Sequence, residues 1–183
     1  MLKLDDNPVT RFPAGRPLAQ DRGSWFVAHV KPRQEKALAK DLQKRGISYY
    51  LPLTEKRSRR RDNGKIRKSI VPLFPGYISF ACPPEQKSRA FGTQRIVHVL
   101  DVVDQDRFVL ECSRVEQALR NGVNVDLWAN AEPGTPVRVV SGPLAGISGE
   151  MVEREGKTRL VIRVDILGQA IAVCVNHTDV EPL

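Results

Sequence analysis

The residues from Lys56 to Lys68 hold eight basic side chains and one acidic one, with no aromatic among them. Cations at that density repel one another unless phosphates or carboxylates neutralise them. Without an aromatic ring the stretch has nothing on which to stack a splayed base. Phosphate contact is the chemistry these residues support, and a solvated loop is the plainer use of the same charges. No spacing points to catalysis. The chain has no GxxxxGK[ST], GxSxG or HExxH run and no Cys–His pairing at useful distance, so no enzyme activity is expected. Gly149 is not followed by the Lys-Ser/Thr of a phosphate loop. Cys82, Cys112 and Cys174 are odd in number and lack a CxxC spacing. They are read as free thiols of a reducing cytoplasm, without a disulfide framework, metal site or cofactor. His98 and His177 are read as isolated structural histidines.

The charge is uneven. The 183 residues carry a net +8, but Ala131–Leu183 holds 5 Lys+Arg against 7 Asp+Glu, net −2, which leaves 24 against 14, net +10, before it. An anionic partner therefore belongs to the first two-thirds of the chain. No apolar run reaches membrane length, and the proline-broken start is not a secretory signal.

The elements that position these cations follow from periodicity. Residues 1–23 have none and several prolines, and are read as a disordered or loosely docked tail. Ser24–Val30, SWFVAHV, is apolar on both faces and predicts a central strand carrying His29. Pro32–Arg45 predicts a helix closed by Gly46, with Leu38, Ala39 and Leu42 buried and Lys36, Lys40 and Lys44 on a solvated side. Ser48–Leu53 is a second strand. Asn63-Gly64 signals a hairpin turn, so the basic stretch is a long hairpin or a flexible arm. Ile70–Phe80, IVPLFPGYISF, predicts a buried strand whose start or bulge is marked by Pro72 and Pro75, with Tyr77 and Ser79 facing away from Ile78 and Phe80. A short helix is expected over Pro84–Phe91 and a strand over Arg95–Val103. A possible strand follows at Phe108–Glu111, then a helix over Ser113–Asn121 with Ser113 as its cap. The order suits an α+β sandwich of helices on an antiparallel sheet.

Residues 122–134 read as a linker in which Trp128 lies against a domain surface. From Thr135 the pattern changes to five short strands in about fifty residues, near Val137–Val140, Gly149–Glu153, Leu160–Ile166, Ala170–Val175 and Val180, which predicts a small all-β barrel.

These residues carry a family resemblance. The run VRVVSGPLAGISGEMVE resembles the KOW motif. The runs SWFVAHVKPRQEKALAKDLQKRG and VPLFPGYISF resemble the NGN domain of NusG-type transcription factors. The resemblance covers residues 24–183 and implies an NGN α/β sandwich at 24–121, a linker at 122–134 and an SH3-like KOW barrel at 135–183. Within the family, YLPLTEKRSRRRDNGKIRKSIVPLFPGYISF is similar to the RfaH-like and UpxY-like antiterminators.

The resemblance implies a bacterial, cytoplasmic and monomeric factor. An aromatic cup on its NGN domain grips the clamp helices of RNA polymerase, raising processivity by holding the clamp closed. By alignment His29, Phe74 and Tyr77 fall in that cup, where Ser79 replaces a further aromatic. Ser88 and Arg89 fall near the contact to the opposite pincer. Lys31 and Arg95 match basic positions that touch the non-template DNA strand, whereas Asp41 replaces a histidine of that patch. Arg59, Arg60, Arg61, Lys65 and Arg67 would add phosphate contacts, and six of these on single-stranded DNA give a salt slope of about −4. The KOW barrel would recruit termination factor Rho or a small-subunit ribosomal protein. Its β-branched density, as in RLVIRV and AIAVCV, predicts a constitutive barrel rather than a fold-switching helical hairpin. Two further readings stay open. One is a ribosome- or RNA-binding KOW protein. The other is a general factor that promotes Rho-dependent termination.

Overall fold

The computed structural model describes residues 7–59, 64–129, 133–154 and 156–183. The chain divides into two units, Met1–Val103 and Asp104–Leu183.

The first unit is built on β1 (Arg11–Phe12), β2 (Ser24–Val30), β3 (Ser48–Tyr50), β6 (Tyr77–Cys82) and β7 (Ile96–Asp101), in the spatial order β1-β3-β6-β2-β7. Every pairing is antiparallel. β2 lies between β6 and β7, as expected of a strand apolar on both faces. One face packs Phe26, Ala28, Tyr49, Ile78 and Phe80 against Leu38, Ala39 and Leu42 of helix α1 (Glu35–Lys44).

Helix α1 starts three residues later than Pro32 because Arg33 has a φ of +61°, outside the helical region. Gly46, at φ +69°, closes it: Gly46 N–H donates to Gln43 at 3.0 Å and Ile47 N–H to Leu42 at 3.0 Å. That pair of bonds satisfies the last carbonyls of the helix and buries Ile47.

The expected single strand over Ile70–Phe80 is two strands of different sheets. β5 (Ile66–Pro72) pairs with β4 (Leu53–Arg59) in a separate two-stranded ribbon, and the main sheet is rejoined only at Tyr77. Between them Phe74-Pro75-Gly76-Tyr77 forms a turn closed by Tyr77 N–H to Phe74 O at 3.2 Å. Proline in its second position and glycine at φ +85° in its third are what a type II turn requires.

The expected loose tail is corrected from residue 7 onward. Arg11 is buried and pairs with Asp21 at 2.7 Å, while its guanidinium lies 6.0 Å from the centre of the Trp25 ring. Trp25 Nε1 donates to Leu18 O at 3.3 Å, and the Tyr49 hydroxyl donates to Val9 O at 3.0 Å. Burial pushes the Tyr49 phenol up to about 12. The aperiodic segment is held by these side chains and by pairing of β1 with β3, not by a pattern of its own.

Eleven residues follow Pro84 before β7. A single 3₁₀ turn at Pro84–Gln86 leads into α2 (Lys87–Phe91).

In the second unit, α3 spans Gln105–Arg120, so the expected strand at Phe108–Glu111 and the helix start at Ser113 are both corrected. The cap is Asp104, whose side chain accepts from Arg107 N–H at 3.0 Å. Phe108, Cys112, Val115 and Ala118 repeat at helical spacing and are buried. Burial pushes the Cys112 thiol up. Helix α3 packs on β11 (Lys157–Val164).

The remaining strands are β8 (Val125–Ala129), β9 (Thr135–Val139), β10 (Ser148–Arg154), β12 (Gln169–Cys174) and β13 (Val180–Pro182). With β11 they form one antiparallel sheet in the order β13-β9-β10-β11-β12-β8, around Val137, Val139, Ile147, Leu160, Ile162 and Ile171. The five expected strands are present. β8 is additional and falls in the expected linker, where Val125 is buried and Trp128 pairs with Ala170. Instead of resting on a domain surface as a loop residue, Trp128 is a strand residue with the Arg159 guanidinium 5.2 Å from its ring centre.

Candidate functional site

Three rings meet on the first unit. His29 of β2 is the register partner of Tyr77 on β6 and of His98 on β7. Cross-strand partners share a sheet face. Ring centres are 5.3 Å apart for His29–Tyr77 and 4.8 Å apart for His29–His98. His29 Nδ1 is buried without a hydrogen-bond partner. His98, read from sequence as isolated, joins this group because β7 pairs beside β2, a neighbourhood that spacing along the chain does not reveal.

The turn at Phe74–Tyr77 borders the rings. A Cβ on Gly76 would lie 3.7 Å from the His29 ring, so the turn backs directly onto it. Gly76 N–H donates to Glu35 Oε1 at 2.8 Å, and Gly76 O accepts from Val30 N–H at 2.8 Å. The buried Glu35 at the start of α1 thus fixes the turn to the helix and to β2. Phe74, the first residue of the turn, is only 4% exposed, whereas Tyr77, half-buried, offers accessible surface.

Ser88 and Arg89 are exposed on α2. Arg89 is committed locally: it donates to Arg45 O at 3.2 Å and to Gln86 Oε1 at 3.0 Å. Arg45 returns the contact, donating to Arg89 O at 2.6 Å and Gly92 O at 3.2 Å. Each arginine therefore caps carbonyls at the other's helix end.

Lys31 and Arg95 are brought together by Lys31 N–H donating to Arg95 O at 2.9 Å. Lys31 is exposed. Arg95 is not a free cation, since its Nε pairs with Asp41 Oδ2 at 2.7 Å and its Nη1 donates to Gln34 Oε1. Asp41, the position that departs from the family pattern, is thus the counter-ion of a residue the resemblance places on DNA.

The basic stretch is a hairpin with register from Leu53↔Pro72 to Arg59↔Ile66. Arg60 and Arg61 lie outside the described residues. Arg59 and Lys65 are exposed near the distal end and Arg67 is half-buried. Glu55 pairs with Arg57 at 2.7 Å and Lys68 at 3.5 Å. The Arg57 hydrogen bond, assisted by Lys68, holds the Glu55 carboxyl below its ordinary range.

Sequence reasoning placed Lys36 on a solvated face. Its Nζ instead donates to Asn7 Oδ1 at 2.5 Å and to Ile70 O, and burial lowers its pKa. It ties the base of the hairpin to α1. The i, i+4 lysine spacing gave no sign of this, because the acceptor is a backbone carbonyl 34 residues away.

The arrangement offers surfaces for binding: a ring cluster, a basic pair and a basic ribbon. Among the described residues, no group of three His, Cys, Asp or Glu side chains is placed to hold a metal ion. Among them too, no helix is long and apolar enough to cross a membrane.

The family described as "Transcription termination factor nusG" matches residues 23–120. Among solved structures, the chain is similar to one titled "Domain interaction in Thermotoga maritima NusG", at 18% identity and a TM-score of 0.47, covering 87% of this chain and 97% of that one. It is also similar to an MjSpt4:Spt5 complex structure at 14% identity and a TM-score of 0.29, covering 87% and 96%. No curated protein sequence matches it.

Proposed function

The chain belongs to the NusG family, and from that premise we propose that it is a bacterial transcription elongation factor of the antiterminating kind. On this reading residues 24–121 are the polymerase-binding domain, although their last helix, α3, belongs to the second unit, and residues 135–183 are the KOW domain that recruits Rho or a small-subunit ribosomal protein. The factor acts by binding two polymerase conformations unequally, which needs no chemistry of its own.

The observation that carries the polymerase contact is the His29–Tyr77–His98 ring group beside the Glu35-fixed turn. Clustered aromatic rings on a rigid sheet are the kind of surface that supplies most of an interface's binding energy. Phe74, buried in that turn, belongs to the same contact, and Ser88 and Arg89 face the opposite pincer. Lys31 and Arg95 meet the non-template strand, Arg95 once its Asp41 pairing is exchanged for a phosphate.

The test is binding of the full chain to core RNA polymerase with and without the clamp helices. Tyr77→Ala should weaken clamp-dependent binding by about 2 kcal/mol, some thirtyfold. Undiminished binding would remove the ring group from the interface. The matched family description names a termination factor, so the second reading is the opposite sign. Readthrough of a Rho-dependent terminator on addition of the protein supports antitermination, and earlier release supports the second reading.

A further inference from the structure

We propose that the β4–β5 hairpin is a reader of duplex DNA, entering the major groove as a two-stranded ribbon. The inference rests on the nucleic-acid role given to the hairpin above and changes its ligand from a single strand to a duplex.

Shape is the first argument. β4 and β5 form a sheet of their own, with seven residues in each strand. At about 3.3 Å per residue the ribbon is about 23 Å long, with strands about 4.8 Å apart. The major groove of B-DNA, about 12 Å wide, admits a two-stranded ribbon. From Glu55 to Arg59 every residue of β4 is exposed, so the distal half of the ribbon projects into solvent.

Charge placement is the second. Register partners share a face, which puts Lys56, Ser58, Arg67 and Ser69 on one side and Glu55, Arg57, Arg59 and Lys68 on the other. In a groove the two strand edges flank the phosphate backbones, and the long lysine and arginine side chains of either face can reach past those edges to them. A surface lying flat on one strand needs them on one side only. The first face also carries hydroxyls and no carboxylate, so it is the face turned to the base edges. The second holds the only acid of the described ribbon, and Glu55 fixes Arg57 and Lys68 in place rather than leaving them to splay.

The alternatives fit less well. Leu53–Pro72 contains no aromatic residue, so a single strand would have no stacking platform. The major groove of duplex RNA is deep and too narrow for the ribbon.

The experiment measures binding of the full chain, without polymerase, to a DNA duplex of about 20 base pairs (two helical turns), to one of its strands and to the matching RNA duplex. The DNA duplex is expected to bind at least about tenfold tighter than either. If Lys56, Arg57, Arg59, Lys65, Arg67 and Lys68 each neutralise one phosphate, its salt slope is about −5. A major-groove ligand, methyl green, should displace the protein, and the minor-groove ligand netropsin should not. The triple variant Lys56→Gln, Arg57→Gln, Arg59→Gln, all exposed positions, should lose at least about tenfold in duplex affinity with an unchanged circular dichroism spectrum. Equal or tighter single-strand or RNA binding, displacement by netropsin alone, or an unaffected triple variant overturns the proposal. Polymerase binding is measured separately on the same proteins. Its absence in the unsubstituted chain overturns the polymerase reading and leaves the duplex result standing.

Discussion

Glu35 and Gly76 are 41 positions apart and share one hydrogen bond, Gly76 N–H to the Glu35 carboxylate at 2.8 Å. Through it the first residue of α1 holds the turn that delivers Tyr77 to His29. Removing the acceptor leaves a backbone donor without its partner at a place where glycine is required by φ.

Glu35→Ala is therefore expected to cost about 1–3 kcal/mol in stability, and Glu35→Gln, which keeps an acceptor oxygen, clearly less. Denaturant unfolding of the two variants checks this. Equal losses would show that the carboxyl's packing, not its hydrogen bond, is what the turn depends on.

Asp41 and Arg95 make a pair at 2.7 Å, with a quarter to a third of each side chain exposed. Such pairs contribute about 0.5–1 kcal/mol. Asp41→Asn should leave stability nearly unchanged and raise single-strand DNA affinity, because Arg95 no longer has to exchange a counter-ion. Arg95→Ala should lower that affinity and abolish the effect of Asp41→Asn. If Asp41→Asn changes DNA affinity equally with and without Arg95, the two are not coupled in binding.

Arg45 and Arg89 cap one another's helix ends. Arg89→Ala should lower the melting midpoint by an amount worth under about 1 kcal/mol, and Arg45→Ala similarly. Together they should cost less than the sum, since each single change already breaks part of the exchange. A polymerase defect in Arg89→Ala that Arg45→Ala reproduces would mark Arg89 as a positioning residue; one that Arg45→Ala lacks would mark a direct contact.

Glu111 of α3 accepts from Asp165 N–H at 3.0 Å and from Arg107 Nε at 3.0 Å. Burial nevertheless pushes its carboxyl above the ordinary range, against those two contacts. The folded state then holds a proton that the unfolded state releases first. Stability falls as pH rises from the ordinary carboxylate value through the raised one, and the charged form carries the penalty above it. Glu111→Gln should flatten this slope. Urea unfolding at a series of pH values between about 4 and 7 measures it, and a wild-type slope that persists in the variant would assign it to another group.

Strands β2, β3 and β7 of the main sheet and β9 to β13 of the second unit were legible because alternation, Gly turns and β-branched runs are local properties, whereas β1 has no pattern of its own. The end of α1 at Gly46 was legible too, and the Asn63-Gly64 signal narrowed the basic stretch to a hairpin or a flexible arm, of which the structure has the hairpin. Helix α3 was misread because VLEC is a short apolar run whose period is ambiguous, and its true cap, Asp104, precedes it by several residues. β8 was missed because a five-residue strand at a sheet edge is decided by the partner that covers it, β12.

The site divided along the same line. Residue types and their order determined that this chain carries a basic ribbon and an aromatic strand within a NusG-type domain. That Arg95 is neutralised by Asp41, that His98 stands against His29, and that Lys36 anchors the hairpin were decided only in the tertiary structure. Each depends on which distant backbone or side chain arrives within hydrogen-bonding or ring-contact range. Such contacts extend over a few ångströms in space and leave no period in the chain.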